Sequence, residues 1–166
     1  MRPALPWLAV AAAVAALLIS RGRDSSTPAR GSTLHAQVLR VVDGDTIQVR
    51  LDGGHVERVR YIGIDTPESV KPNTPVQCFA KKASHFNQSL VEGRSVTLRL
   101  DAEQRDRYGR LLAYVYAGPT FVNRVLVARG YARTLTIPPN VSHADEFARL
   151  ARRARDDGMG LWRACE

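Results

Sequence analysis

The sequence of 166 residues contains no internal repeat and no low-complexity block, which excludes a solenoid or a fibrous chain. It holds only two cysteines, Cys78 and Cys165, so at most one intrachain bridge can form. Its histidines, His35, His55, His85 and His143, show no ligand spacing and read as ordinary residues. Acids are the minority charge: 16 Asp and Glu stand against 24 Lys and Arg, a formal net charge of +8. Four of the bases (Arg2, Arg21, Arg23, Arg30) and one acid (Asp24) lie before residue 32, leaving 20 bases against 15 acids, or +5, for the rest. A basic domain attracts polyanions, including nucleic acid and anionic membrane surfaces; a solvated basic face with no partner has the same composition.

Charge is absent altogether from Pro3 to Ser20, and Leu5–Ile19 is almost entirely Ala, Val and Leu. With Arg2 ahead of it, this run matches the n-region and h-region of a secretory signal. It falls slightly short of the roughly 20 residues of a comfortable membrane span, and no small-x-small cleavage site follows it. Residues 1–20 are therefore read as a signal peptide or an N-terminal membrane anchor, with the protein exported, secreted or periplasmic, or held on the outer side of the membrane. Arg21 and Arg23 outnumber Arg2, so the positive-inside rule leaves the orientation open. Residues 21–32, RGRDSSTPARGS, read as a flexible polar linker. Residues 33–166 are long enough for one compact domain, and 45% hydrophobic content with a mean hydropathy of −0.21 fits a globular core. In an exported chain Cys78 and Cys165 suggest one disulfide pinning the C-terminal tail; the alternative is two unpaired thiols.

Alternating β-rich runs dominate the first half: Leu34–Val42, Thr46–Leu51 and Val56–Ile64, followed by Ser95–Leu100 and Leu111–Tyr116. Asp52–Gly54, DGG, is a hairpin signal. A two-residue Gly53-Gly54 turn would place Arg50 opposite Glu57 and Ile47 opposite Arg60. Asp45 would then share an apolar face with Ile47 and Val49, and Arg60 one with Ile62 and Ile64. Charges on apolar faces need partners, a metal ion or an anionic ligand. Helical spacing at Phe79, Ala83, Phe86 and Leu90, and at Phe147, Leu150, Ala151 and Ala154, predicts two helices. A third covers Phe121–Arg129 and stops at Gly130. Ser142 with Asp145 resembles a capping box, and Trp162 reads as a core anchor for the tail. Five strands and three helices make a small barrel with helices packed outside it.

Three segments carry candidate chemistry: DGDT (Asp43–Thr46), RYIGIDTPE (Arg60–Glu68) and DRYGR (Asp106–Arg110). Each alone is ordinary turn chemistry. Together they supply three carboxylates, Asp45, Asp65 and Glu68, and two arginines, Arg60 and Arg110, at strand ends. Hard carboxylate oxygens suit Ca2+ or Mg2+, and guanidinium forks suit phosphate oxygens.

In that order these segments, with DRYGRLLAYVY, FVNRVLVARGYA and the closing GLW, resemble the staphylococcal nuclease (thermonuclease) family over roughly Thr33 to Trp162. The resemblance implies an α+β, mainly β fold: a five-stranded OB-fold barrel with three packed helices. It implies a Ca2+-dependent endonuclease that cuts DNA and RNA and leaves 3′-phosphates. Asp45 and Asp65 match the family's calcium-binding carboxylates, and Thr66 the residue offering a backbone carbonyl. Glu68 matches the carboxylate that activates water, and Arg60 and Arg110 the phosphate-binding arginines. Asp43 matches an acid behind the metal, and Tyr108 a tyrosine lining the nucleotide pocket. A monomer is the default.

There are departures. Where the family's best-known member has tyrosines, this chain reads TIPPN, with Thr136 and Pro138 and no aromatic. Base stacking is worth roughly 1–3 kcal/mol per base, so nucleotide binding or base preference is expected to differ. The loop SVKPNTP after Glu68 carries Lys71 as its one base, and the cysteine pair is absent from the best-known member. The alternative reading is a non-catalytic nucleic-acid or protein-binding module on the same barrel. The presence of Asp45, Arg60, Asp65, Thr66, Glu68 and Arg110 together favours the enzyme.

Overall fold

The computed structural model describes residues 31–68 and 75–165. The segment 1–20, the linker apart from Gly31 and Ser32, and Lys71 lie outside the described residues. In chain order the elements are β1 (Thr33–Asp43), β2 (Thr46–Leu51), β3 (Val56–Tyr61), β4 (Gly63–Asp65), α1 (Ala80–Val91), β5 (Ser95–Arg99), β6 (Leu111–Ala117), β7 (Thr120–Phe121), α2 (Val122–Ala128), β8 (Arg133–Leu135), α3 (Ala144–Asp156) and α4 (Leu161–Ala164). Among the described residues, no helix is long and apolar enough to cross a membrane.

Five strands pair in the order β3-β2-β1-β5-β6. The parallel pairing of β3 with β6, Val59 opposite Leu111 and Arg60 opposite Leu112, closes them into the expected OB-type barrel. Strand β1 serves two neighbours, β5 through Thr33–Gln37 and β2 through Ala36–Asp43. It bends through register shifts between Val38 and Arg40 and between Val41 and Asp43, as bulges allow. Alternation sends Val38, Ile47, Val49, Val59 and Leu98 inward, all nearly inaccessible. Helix α2 adds Val122, Leu126 and Val127 to the same core, and α3 adds Phe147.

The hairpin register differs from expectation by one residue. Arg50 stands opposite Val56, Val49 opposite Glu57, and Thr46 opposite Arg60. The cause is loop length. Leu51 N–H reaches His55 O at 2.9 Å, and Gly54 N–H reaches Leu51 O at 2.7 Å with Gly54 at φ 84. The loop is thus three residues ending in a left-handed glycine, not a two-residue turn. Glu57 consequently pairs with Arg105 (2.7 and 3.0 Å) rather than Arg50. The expected run to Ile64 also breaks. β3 ends at Tyr61, and β4 turns away to pair with β8, Asp65 opposite Arg133. Gly63 makes that break possible: its φ is 79, and a Cβ there would meet the Phe147 ring at 2.8 Å.

A short fourth helix, α4, follows the three expected ones. The capping box at Ser142 does not form. Helix α3 begins after His143, while Ser142 N–H donates to Asp101 Oδ2 at 3.2 Å. Leu161, not Trp162, is the buried anchor of the tail. Trp162 is half-buried between the guanidinium groups of Arg133 (5.3 Å) and Arg155 (4.3 Å). Cys78 and Cys165 form the disulfide, joining residues 87 apart in sequence.

Buried side-chain amides tie the helices and loops to the barrel. Asn87 donates to Asp43 O (3.1 Å) and accepts from Tyr61 Oη (3.0 Å). Asn123 donates to Ile62 O and accepts Val115 N–H, both at 2.9 Å. Asn140 bonds both ends of the Glu103 backbone at 2.7 Å. Asn87 and Asn140 each open an Asn-x-Ser sequence, but both are buried, which excludes either as a glycan acceptor in the folded chain.

Asp101 is buried and accepts from Ala102 N–H, Tyr114 Oη and Ser142 N–H. Burial pushes its pKa up, but the hydrogen bonds from Ser142, Tyr114 and Ala102 outweigh that and hold it below the ordinary carboxylate value. A depressed folded pKa stabilises the fold above the unfolded value, and that contribution disappears as pH falls through the folded one. Asp101→Asn is therefore expected to lower the midpoint of denaturant unfolding at neutral pH and to flatten its acid-side decline. An acid limb identical to the parent's would rule this account out.

Candidate functional site

The turn between β1 and β2 sets the first pair of acids. Asp43 ends β1, and its Oδ1 accepts Gly44 N–H at 2.7 Å. Asp45 follows in the turn itself, 5% exposed. Its Oδ2 accepts Thr66 N–H (2.8 Å) and Thr66 Oγ1 (3.0 Å), and its Oδ1 accepts Thr46 Oγ1 (3.1 Å). Thr66 thus orients Asp45 whatever its own carbonyl does.

Arg60, near the end of β3, lies between two acids. Its Nη2 donates to Asp65 Oδ1 at 2.9 Å, and its Nη1 lies 2.7 Å from Asp45 Oδ2. The second contact is close but not aligned: among the described residues, no acceptor lies on an N–H direction of Nη1, although the atom is buried. This is an ion contact with unused hydrogen-bonding capacity. Arg110 approaches from the turn before β6. Asp106 Oδ2 accepts from its Nε at 2.7 Å and lies 2.7 Å from its Nη2 in an ion pair, and Asp106 Oδ1 accepts the backbone N–H groups of Tyr108 and Arg110. Those donors outweigh burial and hold Asp106 below the ordinary carboxylate pKa, so it stays an anion that fixes Arg110.

Asp43, Asp45, Arg60, Asp65, Thr66, Glu68 and Arg110 line one cleft of about 370 Å³. A second groove of about 480 Å³ shares Arg60 and Arg110 with it and is walled by Tyr108, Leu112, Leu135 and Ile137. Tyr108 is 68% exposed at its rim, with the Arg107 guanidinium 4.8 Å from its ring. Every catalytic, metal-holding and nucleotide-lining residue expected from sequence therefore falls in these two adjoining spaces. With the register shifted by one, Asp45 and Arg60 do not lie apart on separate apolar faces but meet directly.

The comparisons with known proteins agree with this geometry. Residues 58–164 match the model of the staphylococcal nuclease homologue family. A Thermonuclease of Staphylococcus intermedius is 43% identical over 140 residues, 84% of this chain and 82% of that protein. This chain belongs to the staphylococcal nuclease family. A Thermonuclease of Staphylococcus hyicus is 41% identical over 126 residues, covering 76% of this chain and 74% of that protein. Endonuclease YncB of Bacillus subtilis is 40% identical over 125 residues, 74% of this chain and 59% of that protein.

Among the described residues, no three carboxylate, imidazole or thiol groups stand together as a ready-made cage. The donor set nevertheless fits a hard cation. Asp65 is pushed above the ordinary carboxylate pKa by partial burial and by the charges of Asp45 and Glu68, against the opposing pull of Arg60. Burial is the largest cause of that shift, and a divalent ion beside the carboxylate would oppose it by favouring the charged form.

Three features of the site go beyond the sequence reading. Asp106 belongs by sequence to a glycine turn, and only the folded turn shows it gripping Arg110. Thr136 and Pro138 do not line the groove; Leu135 and Ile137 on either side of Thr136 do, and the spacing of two between them is the available signal. Gly44 has no room for a side chain: a Cβ would sit 2.6 Å from Thr66 Oγ1. Gly44→Ala is therefore expected to displace Thr66 from Asp45. Losing a hydrogen bond to a charged group costs about 1.5–3 kcal/mol, and the activity should fall with it. Parent-like stability and parent-like activity together, by urea unfolding and nuclease assay, would contradict that packing argument.

Proposed function

We propose that this chain is an exported or membrane-anchored, Ca2+-dependent nuclease that hydrolyses phosphodiester bonds of DNA and RNA and leaves 3′-phosphates. The observation that carries the reading is the Arg60 guanidinium. It is half-buried among acids, with a buried Nη1 that has no aligned acceptor among the described residues, and it lines a cleft together with Arg58 and Arg110. A phosphate oxygen supplies the missing acceptor. The names of the relatives, Thermonuclease and Endonuclease, support the same class.

Asp45 and Asp65, with the Thr66 carbonyl, would hold calcium, and Asp43 adds negative charge behind them. Bound there, calcium acts as a Lewis acid and template for a phosphate oxygen. Glu68 orients the attacking water or takes its proton. Water attacks phosphorus in line with the leaving 5′ oxygen. Arg60 and Arg110 neutralise the charge that builds on the equatorial and leaving oxygens. Asp106 holds Arg110 in place before substrate arrives, so little reorganisation is needed. The adjoining groove takes the nucleoside, with Tyr108 at its rim and aliphatic Leu135 and Ile137 where a second aromatic surface would stack. Export is supported by the apolar run in residues 1–20 and by the Cys78–Cys165 bridge. The enzyme is proposed to act as a monomer.

The test is cleavage of single-stranded DNA by the purified protein with Ca2+ or with EGTA. Cutting should require Ca2+. Glu68→Gln should lower kcat by about 10² or more, and Arg60→Ala or Arg110→Ala by about 10²–10³, with the fold retained by circular dichroism. DNA binding without cutting by the calcium-loaded parent would favour a binding module instead.

A further inference from the structure

Glu68 reaches the cleft from a segment that leaves the barrel after β4. Its carboxylate is useful only if the backbone carrying it is held still. We propose that Gln77 is the positioning residue that holds it, and that the Cys78–Cys165 disulfide fixes Gln77; the inference rests on the role of Glu68 given above.

Two hydrogen bonds form the hold. Glu68 N–H donates to Gln77 Oε1 at 2.8 Å, and Gln77 N–H donates to Glu68 O at 3.0 Å. Both polar ends of the Glu68 backbone are thereby fixed by one residue. A single side chain that accepts while its own amide donates defines direction as well as distance. Gln77 is itself anchored from the other side. Its carbonyl accepts Ala80 N–H at 3.1 Å, at the start of α1. Cys78, next in sequence, is bonded to Cys165 at the end of α4. Phe79 follows with φ 69, and its ring lies 5.2 Å from Tyr131. A non-glycine residue in the left-handed region costs about 1–3 kcal/mol and persists only where its surroundings dictate it. Crosslink, helix start and wedged ring all fall within three residues of Gln77.

The tail reaches this point on a firm base. Leu161 N–H donates to Gly130 O at 2.8 Å, and a Cβ on Gly160 would meet Gly130 O at 2.3 Å. Backbone lies directly on backbone, so the C-terminal segment has one docked position. The mechanical path runs from that docked tail through Cys165, Cys78 and Gln77 to Glu68. Gln77 touches no reacting atom. It acts through Glu68, and its loss should displace the carboxylate by a small distance; displacement of about 1 Å can cost as much as 10²-fold in rate.

The experiment compares the full chain with Gln77→Ala, Gln77→Glu and the Cys78→Ser/Cys165→Ser double variant. Amide exchange at Glu68 is followed by NMR, and kcat and KM are measured on single-stranded DNA with Ca2+. Gln77→Ala should speed Glu68 amide exchange about tenfold. It should lower kcat about 10- to 100-fold and leave KM essentially unchanged. Gln77→Glu, which carries an acceptor to the same N–H, should restore slow exchange and most of kcat. The double variant should move both readouts in the direction of Gln77→Ala. Unchanged Glu68 exchange in Gln77→Ala overturns the clamp whatever the activity. Unchanged kcat in Gln77→Ala, with Glu68→Gln inactive, overturns the positioning role. A parent that does not cut defeats the nuclease reading instead, and the exchange measurement still decides whether the clamp exists. Should the double variant not fold, Gln77→Ala, which keeps the disulfide, decides between these outcomes.

Discussion

The structure depends on the balance of charge around one guanidinium. Arg60 stands between Asp45 and Asp65, and Asp43 and Glu68 line the same cleft. Removing charges from water costs several kcal/mol per ion unless geometry and hydrogen bonds return it. The neighbourhood is arranged to do so. Thr66 and Thr46 donate to Asp45, Gly44 to Asp43, and Asp106 answers Arg110 across the cleft. Asp65 is nevertheless held above the ordinary carboxylate pKa, chiefly by burial, with Arg60 pulling it down and Asp45 and Glu68 pushing it up. A site holding a buried N–H without an aligned acceptor among the described residues is poorly arranged for stability alone. The cation and the phosphate proposed for this cleft would meet that need.

Holding such a site open is the work of the elements outside the barrel. Apolar packing is nondirectional and fixes a turn only loosely. A buried amide, by contrast, must place both its donor and its acceptor. Asn87 on α1 fixes the carbonyl of Asp43, at the root of the acidic turn, and Asn123 on α2 fixes the carbonyl of Ile62, just past Arg60. The helices thus do more than cover the barrel. They set the backbone from which the acids and Arg60 project.

Much of this is legible in the sequence. Period-two alternation marks the barrel strands because each buries one face, and β2 matches to the residue. The site residues are legible because their spacing is local, in three short segments. Register is not, because one extra loop residue, Asp52, shifts every pair, and nothing in DGG distinguishes the two turns. The start of α3 differs from its local signal because Asp101, about forty positions upstream, takes the N–H of Ser142 that Asp145 would accept in a capping box. Asp106, Gln77, Leu135 and Ile137 are inconspicuous for a shared reason. Their importance lies in what the fold brings against them, and short-range pattern carries none of that. Trp162 departs from the core position its bulk suggests because two guanidinium groups can cover an indole equally well.

The parallel closure of β3 on β6 has a consequence for how the molecule comes into being. Arg60 stands opposite Leu112, two residues beyond Arg110, so the seam that seals the barrel also brings Arg110 to the cleft lined by Arg58 and Arg60. Contacts between such distant parts of a chain carry the entropy of closing a long loop and form late relative to local ones. Until that seam closes, Arg110 is not beside Arg58 and Arg60, which β3 already carries. Arg60 and Arg110 are therefore brought side by side by that closure, and a chain that has not made it carries them apart.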